Sequence, residues 1–213
     1  MNPKDKPDIA QAGAQLLHSG NRMLFRHWET VRAERACPSR QDINLRAISK
    51  LMPFLAIIEM DQGLDLPIFK LAGTGVCELF QRPLTGEPVA AMMEKFERRL
   101  VTETLILALE KLQPCLVRLR FLSAEGPVTT AEFLALPVFN TGLGVTQLIC
   151  GVFSFAEQAN GLPNTLAGIE LIATRMIWTE HVMGGELHDQ AGAKTVPLRV
   201  IQGGRTDTKS FSN

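Results

Sequence analysis

The chain has 213 residues, of which 46% are hydrophobic and 21% charged, so it can bury a core without disulfides or metals. Lys plus Arg and Asp plus Glu both number 22, and this balance gives no electrostatic case for a nucleic acid or an anionic membrane as partner. Cys37, Cys77, Cys115 and Cys150 lack C-x-x-C spacing, which argues against a compact zinc or redox site. Neither a signal peptide nor a membrane-spanning run is visible, so we expect a cytoplasmic protein with reduced thiols rather than two disulfides.

The N-terminal part is predicted to be a polar leader followed by helices. Residues 1–18 are polar and interrupted by proline, and we expect them to be disordered. Residues 19–52 form a predicted N-terminal helical segment. Its first helix, about 19–37, has apolar residues at three- and four-residue spacings from Met23 to Val31 and ends at Pro38. A short helix at about 44–51 follows, and Pro53 closes it.

Residues 53–156 are predicted to form the core of the fold. Two strands, at 54–60 and 68–71, precede a short helix at 75–80 and a long helix at 92–112. Three further strands follow in quick succession, at 115–122, 129–138 and 145–155. Strands joined by short turns pair antiparallel, so the sequence predicts an α+β fold, a five-stranded antiparallel sheet with helices on one face.

The C-terminal part, 157–185, is predicted to be a linker and a second flanking helix. Apolar residues from Leu166 to Ile177 recur at helical spacing within about 165–183, and Gly184-Gly185 ends this helix. Residues 186–213 are expected to be a flexible tail. An amphipathic helix must bury its apolar face, so we expect the two flanking helices either to cover the sheet or to pair in a homodimer.

The sequence offers no recognisable catalytic site. All four histidines, His18, His27, His181 and His188, lie outside residues 53–155, so neither a His-centred nucleophilic site nor a His-ligated haem is expected in the core. The chain has no Tyr to ligate haem instead, which leaves only Cys or Met as haem ligands. The G-x-S-x-G and G-x-x-x-x-G-K-[ST] motifs are missing from the sequence. We therefore predict that the protein is not an enzyme and that it has no metal site; its cofactor is left undefined.

Several short motifs stand out in the sequence, at 26–29, 38–43, 71–74, 78–80 and 84–86. Together they resemble a PAS-like family of alphaproteobacteria, whose members are commonly described only as PAS domain-containing proteins or proteins of unknown function. The resemblance implies a PAS-like fold and a sensory or regulatory module that acts through protein contacts. Photoactive flavin domains of this fold resemble a pattern with a reactive cysteine after the turn that follows the first short helix. Cys77 instead precedes that turn, so covalent flavin is not expected. The single residues that carry the resemblance are Trp28, Arg40, Asp42, Gly73, Thr74, Leu84, Thr85 and Gly86.

Some of these motif residues also have a physical interpretation of their own. Gly73 and Gly75 are expected to adopt backbone conformations that other residues avoid. Arg40 and Asp42 are expected to form a local ion pair rather than to bind a ligand. Trp28 is expected to anchor the N-terminal helix by packing or to lie in a dimer seam rather than to stack on a cofactor.

The leading hypothesis is a non-catalytic PAS-type regulatory or signalling module that contacts an unidentified signalling protein in trans. The alternative is a small-molecule sensor whose ligand occupies an apolar pocket between the sheet and the helices, although a filled core is equally compatible with the sequence. A small enzyme with an unrecognised site is the remote alternative. The residues expected to line such a pocket are Ile57, Phe69, Leu71, Phe80, Leu105, Leu119, Phe121, Leu134, Leu136 and Phe153.

Overall fold

The computed structural model describes residues 15–155 and 166–179. Helix α1 (Ser19–Arg32) is followed by two 3₁₀ turns, Arg40–Asp42 and Ser49–Phe54, and helices α2 (Thr74–Phe80) and α3 (Lys95–Lys111) lie between the second and third strands. The six strands are β1 (Leu55–Asp61), β2 (Leu66–Ala72), β3 (Cys115–Ser123), β4 (Gly126–Asn140), β5 (Val145–Ser154) and β6 (Leu166–Met176). They form one sheet in the order β2-β1-β5-β4-β3-β6, and every neighbouring pair is antiparallel.

The two faces of the sheet bury two separate apolar clusters. On the inner face, Ile58, Phe69 and Phe121 pack with residues of α2 and α3 such as Phe80 and Leu105. On the opposite, outer face, α1 and the two 3₁₀ turns pack on strand residues of β1, β4 and β5. Helical elements therefore cover both faces. Of the two arrangements expected for α1, covering the sheet or pairing in a homodimer, the structure has the first.

The predicted C-terminal helix is wrong over its described part, because Leu166–Met176 is strand β6. Its pairing with β3 extends from Leu166 opposite Ser123 to Met176 opposite Cys115, so the sheet has six strands rather than the predicted five. Without β6, the N–H and C=O groups on one side of β3 would have no strand partner, and this pairing satisfies them. Disorder was predicted for residues 1–18, of which 15–18 are described, and there Leu16 is buried. Residues 1–14, the linker at 157–165, the end of the predicted helix and the tail at 186–213 fall outside the described residues.

Residues 86–93, called the bridging segment below, contact both edge strands of the sheet. The N–H of Gly86 donates to the carbonyl of Phe69 at 2.8 Å, and the N–H of Val89 donates to the carbonyl of Pro67 at 3.0 Å. At its other end Met93 forms a parallel bridge with Ile169 of β6. The segment therefore joins the two edges of the curled sheet.

The glycines of the family motifs serve two different purposes. Gly73 has an ordinary φ of −67°, so the expectation of a special backbone conformation is wrong there. A side chain on Gly73 would instead collide with the carbonyl oxygens of Pro53 and Met52, and one on Gly75 would collide with the ring of Phe54. Of these three glycines, Gly86, with φ of +87°, is the one that uses the positive-φ conformations that glycine favours.

Candidate functional site

The ten residues predicted to line a pocket do not come together in one place. Phe69, Phe80, Leu105, Leu119 and Phe121 belong to the inner cluster. Ile57, Leu134, Leu136 and Phe153 belong to the outer cluster. Leu71 is 53% exposed and belongs to neither cluster. The sheet itself separates the two groups, so they do not line a single pocket.

The space between the inner face and the helices is packed. The rings of Phe69 and Phe80 lie edge to face at 6.1 Å, and those of Phe80 and Phe121 lie edge to face at 5.2 Å. A cavity of about 10 Å³ remains beside them. This volume is about that of one water-sized sphere, so the inner core is filled by its own side chains. The residues that line the cavity are Phe80, Val89, Met93, Val101, Val117, Leu119 and Phe133.

Trp28 anchors α1 to the outer face of the sheet. Its side chain is fully buried, and its indole Nε1–H donates to the carbonyl of Pro137 at 2.7 Å. The guanidinium of Arg32 lies 5.1 Å from the indole ring, and Glu29 holds that guanidinium through a salt bridge of 2.9 Å. A buried indole N–H needs a hydrogen-bond acceptor, and here the carbonyl of Pro137 supplies it. Trp28 therefore packs within its own chain and not in a dimer seam.

A buried carboxyl group, that of Glu132 on β4, holds the start of α1. Its oxygens accept hydrogen bonds from the N–H groups of Leu17 (2.8 Å) and His18 (3.0 Å) and from the amide of Asn21 (3.1 Å). The guanidinium of Arg118 lies 3.5 Å away. Leu17 and His18 directly precede α1, and Asn21 lies in its first turn, so this one carboxyl group holds the start of the helix on the sheet. The carboxyl group of Glu132 with these four neighbours is called the Glu132 anchor below.

The comparison with known families is decisive for the fold. The sequence model of the PAS domain family matches residues 16–154. The chain belongs to the PAS domain family. The match ends before β6, so the family region contains the five-stranded part of the sheet together with α1. No curated protein matches the chain.

Membership in this family places the chain among signalling and sensory regulatory modules. PAS domains are in general non-catalytic. Within residues 15–155 and 166–179, no three His, Cys, Asp or Glu residues are grouped so that they could hold a metal ion. No helix in this part of the chain is long and apolar enough to cross a membrane.

The four cysteines of this PAS domain are free thiols. Burial raises the pKa of Cys115 to about 12, and burial also raises the pKa of Cys150 well above its ordinary value. Partial burial raises the pKa of Cys37 in the same direction. The thiols of Cys37, Cys115 and Cys150 therefore stay protonated at neutral pH, and a protonated thiol is a poor nucleophile and metal ligand.

The expected ion pair between Arg40 and Asp42 is wrong. Asp42 instead pairs with Arg35 at 2.8 Å and accepts a hydrogen bond from the N–H of Ser39 at 3.0 Å, which closes a capping box on the first 3₁₀ turn. Arg40 extends to the sheet and donates to the side chain of Gln147 on β5 at 3.1 Å. Arg40 therefore attaches the segment after α1 to the sheet, whereas Asp42 stabilises that segment internally.

Gln147 continues this polar row on the outer face. It donates to the carboxylate of Glu59 at 2.8 Å, and Lys70 pairs with the same carboxylate at 2.9 Å. Partial burial disfavours ionisation of Glu59, but the hydrogen bonds from Lys70 and Gln147 outweigh it and lower the pKa of Glu59. Glu59 and Lys70 are thus already paired with each other, so a ligand can bind either charge only by displacing its present partner.

Two histidines accept backbone hydrogen bonds that hold α1, His18 at its start and His27 within it. The N–H of Gly20 donates to Nδ1 of His18 at 3.1 Å, and the N–H of Asn44 donates to Nε2 of His27 at 3.1 Å. Partial burial lowers the pKa of both rings from 6.5; at His18 the carboxyl group of Glu132 opposes this effect and Arg22 adds to it. A protonated ring nitrogen cannot accept a hydrogen bond, so the neutral forms support α1.

We expect the stability of this PAS domain to fall when the pH drops from about 7.5 to about 5.5. The folded-state pKa of His18 and His27 lies below the unfolded value of 6.5. Their contribution to the free energy of unfolding is therefore complete above pH 6.5, and it is lost below that pH because the unfolded chain takes up protons more readily than the folded one. Urea unfolding at the two pH values measures the loss. His18→Gln and His27→Gln keep an acceptor but do not titrate, so each should reduce the difference; an equal pH dependence in wild type and both variants would refute the assignment.

Proposed function

We propose that this PAS domain is a non-catalytic regulatory module that acts by contacting a signalling protein in trans. The observation that supports this most is the filled inner core, whose cavity of about 10 Å³ holds no room for a metabolite. A module without an interior ligand has to receive or transmit its signal at its surface. Its surface is therefore the first place to seek the function.

The outward stripe of α1 is the surface that we propose for this contact. Met23 is 50% exposed, and Arg26 and Thr30 follow it at helical spacing and are also exposed. The opposite stripe of α1, with Leu24, is buried on the chain's own sheet. Apart from Met23, the apolar face that was expected either to cover the sheet or to pair in a homodimer therefore packs on the sheet, and we propose a partner protein rather than a second copy.

The test compares the wild-type chain with the double variant Met23→Asp/Arg26→Glu. Crosslinking in the native cell identifies candidate partners, and binding is then measured between purified proteins. We expect the double variant to bind at least about tenfold more weakly, which corresponds to about 1.4 kcal/mol. Lys111→Glu, an exposed change of charge at the far end of α3, is the matched control and should bind like the wild type.

Two further measurements separate this proposal from its alternatives. Light scattering after size exclusion should give the mass of one chain, whereas a dimer that the double variant dissociates would assign the stripe to a second copy. Native mass spectrometry of freshly purified protein should give the mass of the chain alone. A stoichiometric small molecule at the inner core would instead favour a ligand sensor and count against the proposal.

A further inference from the structure

A surface cleft of about 310 Å³ lies outside the inner core, between the start of β2, the bridging segment and the first turns of α3. Its floor is apolar and its wall on α3 is mainly cationic. The floor residues are Leu66, Pro67, Pro88, Val89 and Ala90. The wall residues are Lys95, Arg98, Arg99, Thr102 and Glu103.

The floor of this cleft is fixed by hydrogen bonds. The N–H of Val89 donates to the carbonyl of Pro67 at 3.0 Å, so the bridging segment is held against β2. Pro67 and Pro88 have no N–H group and add apolar surface without unpaired donors. A floor that is held in this way does not need to be ordered when a ligand binds, which reduces the entropic cost of binding.

The wall presents more positive than negative charge. Lys95, Arg98 and Arg99 face the cleft together with a single carboxylate, that of Glu103. Glu103 is bound through the Nε–H of Arg99 alone, at 2.7 Å, which leaves the terminal amino groups of that guanidinium for a ligand. In residues 15–155 and 166–179 Lys95 forms no salt bridge. The guanidinium of Arg98 is held by the carbonyls of Ala91 (3.1 Å) and Met93 (2.9 Å). The cleft therefore combines an apolar floor with cations that can pair with an anion.

We propose that this cleft binds a small amphipathic carboxylate, whose apolar body lies on the floor and whose carboxylate pairs with Lys95 and Arg99. The volume is within the range of small-molecule sites, about 300–1,000 Å³. The ligand site is then on the surface between β2 and α3 and not in the core between sheet and helices. It goes beyond the protein contact proposed for α1, which lies on the other face of the sheet.

The backbone of β2 favours a small molecule over an extended peptide in this cleft. A peptide usually binds a sheet edge by adding a strand, which requires free N–H and C=O groups on the edge strand. On β2 the carbonyls of Pro67 and Phe69 already accept hydrogen bonds from the bridging segment, and the N–H of Phe69 donates to Glu87. A ligand here must bind through side chains.

The experiment uses decanoate as the probe and the full chain, followed by backbone amide shifts in NMR. We expect saturable shifts at Ala90 and Thr102, and none centred on core residues Phe80 and Leu119. The double variant Lys95→Gln/Arg99→Gln should bind decanoate at least about tenfold more weakly, as expected for the loss of charge-assisted hydrogen bonds. Lys111→Gln, on the same helix but outside the cleft, should bind it as tightly as the wild type.

Two comparisons make the result unambiguous. Decanol has the same chain without the carboxylate, and it should bind at least about tenfold more weakly than decanoate. Because Lys95 and Arg99 are both exposed, the double variant should keep the wild-type unfolding midpoint. The proposal is overturned if decanoate gives no saturable shifts, if decanol binds equally well, or if the shifts centre on the inner core or on α1. The proposal is also overturned if an acidic peptide binds at the same residues more tightly than decanoate, because the cleft would then be a site for a protein ligand.

Discussion

Replacement of Glu132 by alanine should lower the free energy of unfolding by about 3 kcal/mol. The carboxyl group is fully buried and accepts hydrogen bonds from the N–H groups of Leu17 and His18 and from Asn21. Alanine leaves the N–H groups of Leu17 and His18 without their acceptor in a site that water does not reach easily. The side-chain amide of Asn21 still donates to the backbone carbonyl of residue 132, and the guanidinium of Arg118 still donates to the carbonyl of Gln15. Urea unfolding measures the loss, and hydrogen exchange should show the first turn of α1 opening before the sheet.

Glu170→Ala is the matched control for this change. Glu170 on β6 also pairs with an arginine of β3, Arg120, at 3.2 Å, but both side chains of that pair are more than 40% exposed. An exposed ion pair contributes at most about 1 kcal/mol, so the control should lose far less stability. Equal losses in the two variants would mean that the Glu132 anchor contributes no more than a surface pair.

Trp28→Ala should have an effect of similar or larger size, about 4 kcal/mol. The change removes the largest fully buried side chain of the outer cluster and also the hydrogen bond from Nε1 to the carbonyl of Pro137. The cavity that remains cannot close completely, because α1 is still held at its start by the Glu132 anchor. Thermal and urea unfolding of the variant measure the change in free energy.

The second tryptophan of the chain supplies the control. Trp178 is 66% exposed, so Trp178→Ala should change the free energy of unfolding by no more than about 0.5 kcal/mol. The two variants also assign the fluorescence: the blue-shifted emission of a buried indole should disappear in Trp28→Ala and persist in Trp178→Ala. A stable Trp28→Ala protein with unchanged protection of α1 would show that α1 does not depend on this anchor.

The sequence predicted the antiparallel core because its signals are local. Short turns between β3, β4 and β5 force neighbouring strands to pair antiparallel, and Pro114 ends α3 close to where its apolar stripe ends. The identity of β6 could not be predicted in this way. Its pairing with β3 contains register shifts near Arg118 and Leu122, which break the alternation of a regular strand and leave apolar residues at helix-like spacings.

The pocket prediction failed for a related reason. In a regular strand Phe69 and Leu71 would share a face, but a register shift between Ile57 and Ile58 places Phe69 opposite Ile58 on the inner face and Leu71 opposite Ile57 on the outer face. On β4 both faces are buried, so the sequence pattern does not show which residues point inward. The Glu132 anchor did leave a signal, a single carboxyl residue in an otherwise apolar stretch of β4.

By occupying the edge of β2, the bridging segment also keeps copies of the chain from joining into a continuous sheet. An open edge strand offers a template on which another molecule can add its own strand, and this is a common route to aggregation. Here Gly86 and Val89 already use the backbone groups of β2, and Pro67 lacks an N–H to offer. Pro67 and Val89, which also form part of the floor of the cleft, thus help to protect the protein against polymerisation through this edge.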